Sequence, residues 1–239
     1  MRKRLIATAA GVSAAVVALH AGPAVTALPL ARRHLRALNG VGRPGTVALT
    51  LDDGPDPAST PAFLGSLARL RVPATFFVLG AMAARAPGLL RRIQEDGHEI
   101  GVHGWTHRDH LRMTPGRVYD ELARTADLIL GTCGVRPAWF RPPYGILSAG
   151  SLLAAARLGL RPVLWSAWGR DWEAGATPGT VLAHLRSGGI HGGATLLLHD
   201  SDCAAAPGAW RSALGALGAV VGECERQGLR LARMSHHVA

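Results

Sequence analysis

From residue 46 onward, short apolar runs alternate with longer stretches in which apolar side chains recur every three to four positions. The runs at 46–51, 75–79, 99–102, 139–141, 161–165, 194–198 and 229–232 have the length and the β-branched or aromatic content of strands. Between them, 60–70, 87–96, 115–130, 148–158, 178–186 and 207–227 carry the helical period. Thr114 caps the helix that begins at Pro115, and Gly97 and Gly131 stop the second and third helices. Seven strands alternating with helices predict an α/β fold with a parallel sheet. At this length the expectation is a single domain built as a (β/α) barrel, closed or nearly closed.

Before residue 46 the pattern changes. Arg2, Lys3 and Arg4 precede an apolar run over 5–19, and small residues stand at Val25 and Ala27. This is the layout of an export signal cleaved after about residue 27, or of an uncleaved N-terminal membrane anchor. Residues 28–45 then read as a linker whose Arg32, Arg33 and Arg36 suit an anionic membrane surface, and 46–239 as the domain. The protein is expected to be exported, secreted or held at the cell envelope, and monomeric.

Composition narrows the partners. The net charge is +10, from 26 basic and 16 acidic residues, and Lys3 is the only lysine. The arginines are scattered and no helix-turn-helix, zinc-finger or RNA-binding pattern accompanies them, which argues against nucleic acid and leaves anionic envelope polymers as partners. Cys133, Cys203 and Cys224 have no metal-binding spacing. Cys133 reads as a small buried residue, and a Cys203 to Cys224 bridge is open to an oxidising compartment.

The chemistry lies where the strands stop. Asp52 and Asp53 follow the first strand, His103 and His107 the third, Arg141 and Tyr144 the fourth, Asp171 and Trp172 the fifth, and His199 ends the sixth. In a parallel barrel those ends converge on one rim. Charge at the end of a buried strand must be paired or bound to a cation. His103 and His107 with one carboxylate make an Asp-His-His set that leaves coordination positions open, as a catalytic metal does. One carboxylate of the Asp52 and Asp53 pair then ligates while the other accepts a proton, and Arg141 holds the second in its charged form. Pro142 and Pro143 stiffen the loop that offers the Tyr144 backbone N–H to an oxyanion. His199 suits a general acid, with Asp171 orienting it or raising its pKa. His110 lies outside this spacing and reads as a surface residue.

Thr-Leu-Asp-Asp-Gly-Pro (50–55), His-Gly-Trp-Thr-His (103–107), Arg-Pro-Pro-Tyr-Gly (141–145), Asp-Trp (171–172) and Leu-Leu-His-Asp (197–200) resemble the five ordered motifs of the polysaccharide deacetylase family, the NodB-homology domain of carbohydrate esterase family 4. The resemblance implies a distorted (β/α)7-type barrel and metal-dependent removal of N-acetyl groups from N-acetylglucosamine-containing glycans, with activated water attacking the amide and acetate leaving. It implies Asp52 as base, and Asp53, His103 and His107 as ligands of a divalent metal. Zn²⁺ suits these ligands, and Co²⁺, Ni²⁺ or Fe²⁺ would fit the same set. Arg141 would orient the base, Tyr144 serve the oxyanion hole and bind substrate, His199 act as acid with Asp171 assisting, and Trp172 wall the groove. Three positions depart from the pattern: Leu51 for Phe, Gly104 for Ser or Thr, and Trp168 for an Asp. Loss of the hydroxyl at 104 is expected to loosen the histidine loop, and Trp168 to reshape the rim. A deacylase of lipid-linked sugars and a glycan-binding barrel without turnover are the alternatives.

Overall fold

A computed structural model of the protein describes residues 15, 17–32 and 34–238. Most of the segment read as signal or anchor therefore lies outside the described residues. Its described part includes the 3₁₀ turn Gly22–Ala27 with Val25 exposed, and in the linker that follows, Leu28 and Leu30, at and within the helical turn Pro29–Arg32, are exposed too.

The fold is built around strand β1, Thr46–Asp52, all of whose residues are buried. It pairs in parallel with β2 (Thr75–Val78), with β7 (Thr195–His199) and, over its first three residues, with β8 (Arg230–Ala232). The strand order β5-β4-β3-β2-β1-β7-β6 is completed by β3 (Glu99–Val102), β4 (Trp139–Phe140), β5 (Arg161–Pro162) and β6 (Ala167–Trp168). Between strands run α1 (Thr60–Leu70), α2 (Gly80–Arg85), α3 (Pro87–Glu95), α4 (Pro115–Cys133), α5 (Ala149–Leu158), α6 (Pro178–Gly188) and α7 (Trp210–Arg226), and α8 (Met234–His237) closes the chain.

Period-two alternation sorts β1 into two faces. Val47, Leu49 and Leu51 join Phe63, Leu67, Leu90, Leu122 and Leu217 in the large core between sheet and helices. Ala48, Thr50 and Asp52 fall on the opposite, concave face, where Ala48 packs with Phe77, Trp139, Val163 and Met234. Leu51 is fully buried on the helix side, so the departure from Phe is a core substitution.

The expected distorted α/β barrel is present: among the described residues it is a curled sheet of eight short strands whose ladder stays open between β5 and β6. Several finer expectations are corrected. The strand expected over 161–165 stops at Pro162: Val163 N–H makes the last bond of the ladder, to the Phe140 carbonyl (2.8 Å), and the next N–H, of Leu164, turns instead to the Leu38 carbonyl (2.6 Å). A further short strand, β6, then precedes Asp171. α4 runs through Gly131 and ends at Gly134, which takes the left-handed conformation (φ 70°) and donates to the Leu130 carbonyl. α7 starts at Trp210, because Gly208 N–H turns back to the Asp202 carboxylate. The unanticipated α2 is too short to show a period. His110 is fully buried, stacked on Phe140 and hydrogen-bonded to Ser151, because its chain segment folds under the rim. Cys203 and Cys224 are both free, one exposed and one buried, so no bridge joins them. Cys133 is half-buried, with its thiol on the Leu90 carbonyl.

Candidate metal centre and active site

The parallel register brings the strand ends together. Asp52 stands opposite Phe77 on one side and His199 on the other, and Val102, just before His103, pairs with Phe140, just before Arg141. Four chain segments distant in sequence thus deliver their polar residues to one place.

Arg141 organises this cluster. Its side chain is fully buried on the concave face, donating through Nη1 to Asp52 Oδ1 and Thr50 Oγ1, both at 2.7 Å, and through Nη2 to the Leu164 carbonyl at 2.7 Å. The guanidinium lies 4.0 Å over the Phe77 ring. It ties the end of β1 to the segment that follows β5. Burial lowers its pKa, and the Asp52 carboxylate opposes that. One Asp52 oxygen is thereby fixed, while the other lies 3.9 Å from His103 Nε2.

Asp53, with a left-handed backbone (φ 82°), turns its carboxylate toward the two histidines. A non-glycine residue held there stores strain, as functional positions often do. Its Oδ1 lies 3.4 Å from His103 Nε2 and 3.5 Å from His107 Nε2, and the three ligand atoms fall within 4.8 Å of one another. The chemistry of this donor set fits a divalent cation. The His103 Nδ1 donates to the Arg141 carbonyl at 2.8 Å, which leaves its Nε2 to face the cluster. Asp53 Oδ1 is buried without a hydrogen-bond partner. Burial raises the Asp53 pKa, but the surrounding imidazoles of His103, His199 and His107 outweigh it and hold the carboxyl at about 2. Desolvation takes His107 down to about 4, which keeps it neutral and able to ligate.

Across the site, Asp171 grips His199 twice: Oδ2 accepts from the His199 backbone N–H at 2.8 Å and Oδ1 from Nδ1 at 3.1 Å. Nδ1 is therefore committed and Nε2 is the free nitrogen. Burial alone would lower the pKa of His199, but the Asp171 charge and hydrogen bond raise it to about 10. The reaction cavity, of about 250 Å³, is lined by Asp52, Asp53, His103, His107, Tyr144 and His199, with Pro142, Leu197 and Trp165, Trp168 and Trp172 among its other walls. The three tryptophans form a chain, Trp165 stacked on Trp168 at 5.9 Å and Trp168 against Trp172 at 5.2 Å, and Trp172 meets the His199 ring edge-on. Tyr144, exposed and left-handed (φ 60°), stacks edge-on against His107 at 4.4 Å.

The histidine loop is braced from outside, which answers the departure at residue 104. Gly104 has φ 106°, a conformation that suits glycine, and its carbonyl accepts from Gly80 N–H at 2.9 Å and Thr125 Oγ1 at 3.1 Å. Thr106 is tied to Glu121 through its backbone N–H and hydroxyl. Gly80 opens α2 where a Cβ would meet Trp105 and Thr125 at 2.4 Å, so the close approach needs glycine. The loop is thus held by α2 and α4 without the hydroxyl.

Three residues of the cluster went unassigned in the sequence. Thr50, which accepts from Arg141, looks like any strand residue. Trp165 was placed inside a strand. Asp200 accepts from Gly54 N–H (3.1 Å) and Thr60 Oγ1, pinning the turn after Asp53 to β7, and burial raises its pKa to about 7. Its adjacency to His199 was the available signal.

Residues 39–163 match the family described as polysaccharide deacetylase. The chain belongs to the polysaccharide deacetylase family. It is 43% identical over 162 residues to a chitooligosaccharide deacetylase of Bradyrhizobium sp., covering 65% of this chain and 70% of that protein. It is 38% identical over 157 residues to a peptidoglycan-N-acetylglucosamine deacetylase of Listeria monocytogenes, covering 64% of this chain but only 32% of the relative. Among solved structures it resembles a family 4 carbohydrate esterase from Streptomyces lividans in complex with acetate (TM-score 0.70, 28% identity, 80% of this chain and 93% of that one).

Proposed function

We propose that the protein is a metal-dependent hydrolase that removes acetyl groups from N-acetylglucosamine units of a cell-surface glycan. The observation that carries this reading is the single cavity holding a base fixed by a buried arginine, an Asp-His-His donor set and a protonated histidine, as the chemistry of amide hydrolysis requires. The named relatives act on chitooligosaccharide and on peptidoglycan N-acetylglucosamine, and these are the two substrate classes proposed here.

Asp53, His103 and His107 would hold the cation, with Zn²⁺ first among the candidates. When bound there it supplies Lewis acidity toward the amide carbonyl and acidifies water. The remaining work belongs to the chain. Asp52, its Oδ1 fixed by Arg141, takes the proton from the attacking water through its other oxygen. His199, kept protonated by Asp171, gives a proton to the departing amine nitrogen. The Tyr144 backbone N–H is assigned to the developing oxyanion, and Trp172 with Trp168 walls the sugar face. Among the described residues no helix is long and apolar enough to cross a membrane. Export is proposed from the basic and apolar N-terminal pattern, with the exposed Val25, Leu28 and Leu30 in support.

A second reading has a specific observation behind it: the row of three tryptophans ending in a 40% exposed Trp168 offers more apolar surface than an acetyl group fills, as a larger acyl group or a lipid-linked sugar would use. Acetate release from chitopentaose, peptidoglycan and membrane extracts, with chelator and then with Zn²⁺ or Co²⁺, separates the readings. Metal-restored release from either polymer supports the glycan deacetylase. Release from membrane extract alone moves the assignment to a lipid-linked sugar, and silence on all three refutes both.

A further inference from the structure

A second groove, of about 620 Å³, shares His107 and Tyr144 with the reaction cavity and is lined otherwise by Arg108, Arg112, Arg117 and Asp109, with Met113 and Ile146 as its apolar walls. The three arginines are exposed, and only Arg112 meets an acid, Asp109 at 3.9 Å, an exposed contact of little energetic weight. The side chains of Arg108 and Arg117 make no hydrogen bond or ion pair with any described residue. Arg117 also stands in the first turn of α4, where no acidic residue offsets it. A cation at the positive end of a helix is unfavourable, and three guanidinium groups around one groove repel one another. Folding gains nothing from this arrangement, whereas an anion bound in the groove would be favoured by the arginines and the helix end together. Arg108 and Arg117 also line an adjoining groove with Arg124, whose guanidinium lies 3.5 Å over the Trp105 ring, but Asp120 and Glu121 stand among them there. The basic surface is therefore the first groove, which opens on the metal-binding residues through His107.

We propose that this groove is an anion subsite, and that the strand deacetylated here carries a carboxylate or phosphate on a sugar next to the one whose acetamide enters the cavity. The inference rests on the glycan deacetylase reading for its substrate class. Arg108, Arg112 and Arg117 then set specificity by positioning the strand, and none of them touches the reacting atoms.

The test uses the whole metal-loaded chain and an Arg112→Ala/Arg117→Ala variant on three polymers: neutral chitopentaose, peptide-free peptidoglycan strands with a free carboxylate on every second sugar, and a phosphodiester-linked N-acetylglucosamine polymer. The variant is expected to raise KM on an anionic polymer about tenfold with kcat within about twofold, and to leave chitopentaose within about twofold on both. High salt should erase the wild-type preference, because these charges are exposed. A response confined to the carboxylate strands or to the phosphodiester polymer identifies the anion. Arg117→Lys should restore most of the loss, which a folding defect would not predict. Equal KM changes on neutral and anionic polymers, or no change on any, overturns the proposal. Should wild type release acetate from no polymer, the deacetylase reading fails separately, and binding of each polymer to Asp52→Asn followed by tryptophan fluorescence decides the subsite: salt-sensitive preference for an anionic strand supports it, equal affinity for chitopentaose refutes it.

Discussion

The reaction centre and its rim are built by different rules. In the centre, Asp52, Asp53, His103 and Arg141 are each at most 2% exposed, and their positions are fixed by parallel register and by bonds among themselves. Around the rim, Tyr144 is 58% and Trp168 40% exposed, and Arg108, Arg112 and Arg117 stand in solvent on loops or at a helix start. A change in the centre disturbs a network with no solvent to compensate it. A change at the rim alters what is bound and leaves the chemistry in place. On the proposed reading, the centre carries the chemistry and the rim the choice of substrate.

The hardest test of this contrast is at the metal-binding residues. His103→Ala is expected to lose both bound metal and acetate release, whereas Asp52→Asn keeps the metal and loses turnover by on the order of a thousandfold or more. Metal content of the two purified variants, measured beside their rates, checks it, and equal metal loss in both would sink the division of labour between the carboxylates.

Arg141→Ala should destabilise the fold by about 3–5 kcal/mol, because it strands the buried Asp52 carboxylate. Denaturant unfolding measures this. A loss no larger than that of a rim variant such as Arg112→Ala would dissolve the distinction between the two regions.

A pH profile sharpens the role of the His199 and Asp171 pair. The folded pKa of His199 is raised from 6.5 to about 10, so the stabilisation from its charged pairing with Asp171 is fully present below 6.5 and is lost as pH rises through about 10. In Asp171→Asn burial acts unopposed by that carboxylate, so the alkaline limb of kcat should move to lower pH and the loss of stability with it. An unmoved limb would remove His199 from the role of acid.

The smallest effect is expected on the aromatic wall. Trp168→Ala should raise KM by a few-fold and spare kcat, since an exposed aromatic contact contributes on the order of 1 kcal/mol. Steady-state kinetics on chitopentaose distinguish this from a fall in kcat, which would place Trp168 in the chemistry instead.

How much of this was legible beforehand follows the same division. Apolar period and strand-end carboxylates and histidines expose the α/β alternation and the residues that meet at the site, because each sits within a few residues of a buried strand whose pattern is unambiguous. Asp171 was placed after the wrong strand, since β5 and β6 are two residues each and their separation depends on where the carbonyls of Phe140, Leu38 and Thr195 lie. His110 was read as exposed because a histidine outside a periodic element carries no sign of burial in the sequence.

The sequence by itself determined the strand-helix order, the family to which the five motifs point, and the donor types at each strand end, since these depend on local spacing and side-chain chemistry. Only the tertiary structure decided that the sheet stays open and that Arg141 reaches across to Asp52 and the Leu164 carbonyl. It alone brought Asp200, just after β7, onto the Gly54 turn and gathered arginines nine positions apart beside Tyr144. Those outcomes depend on distances between segments remote in the chain, which packing sets and residue order does not encode locally.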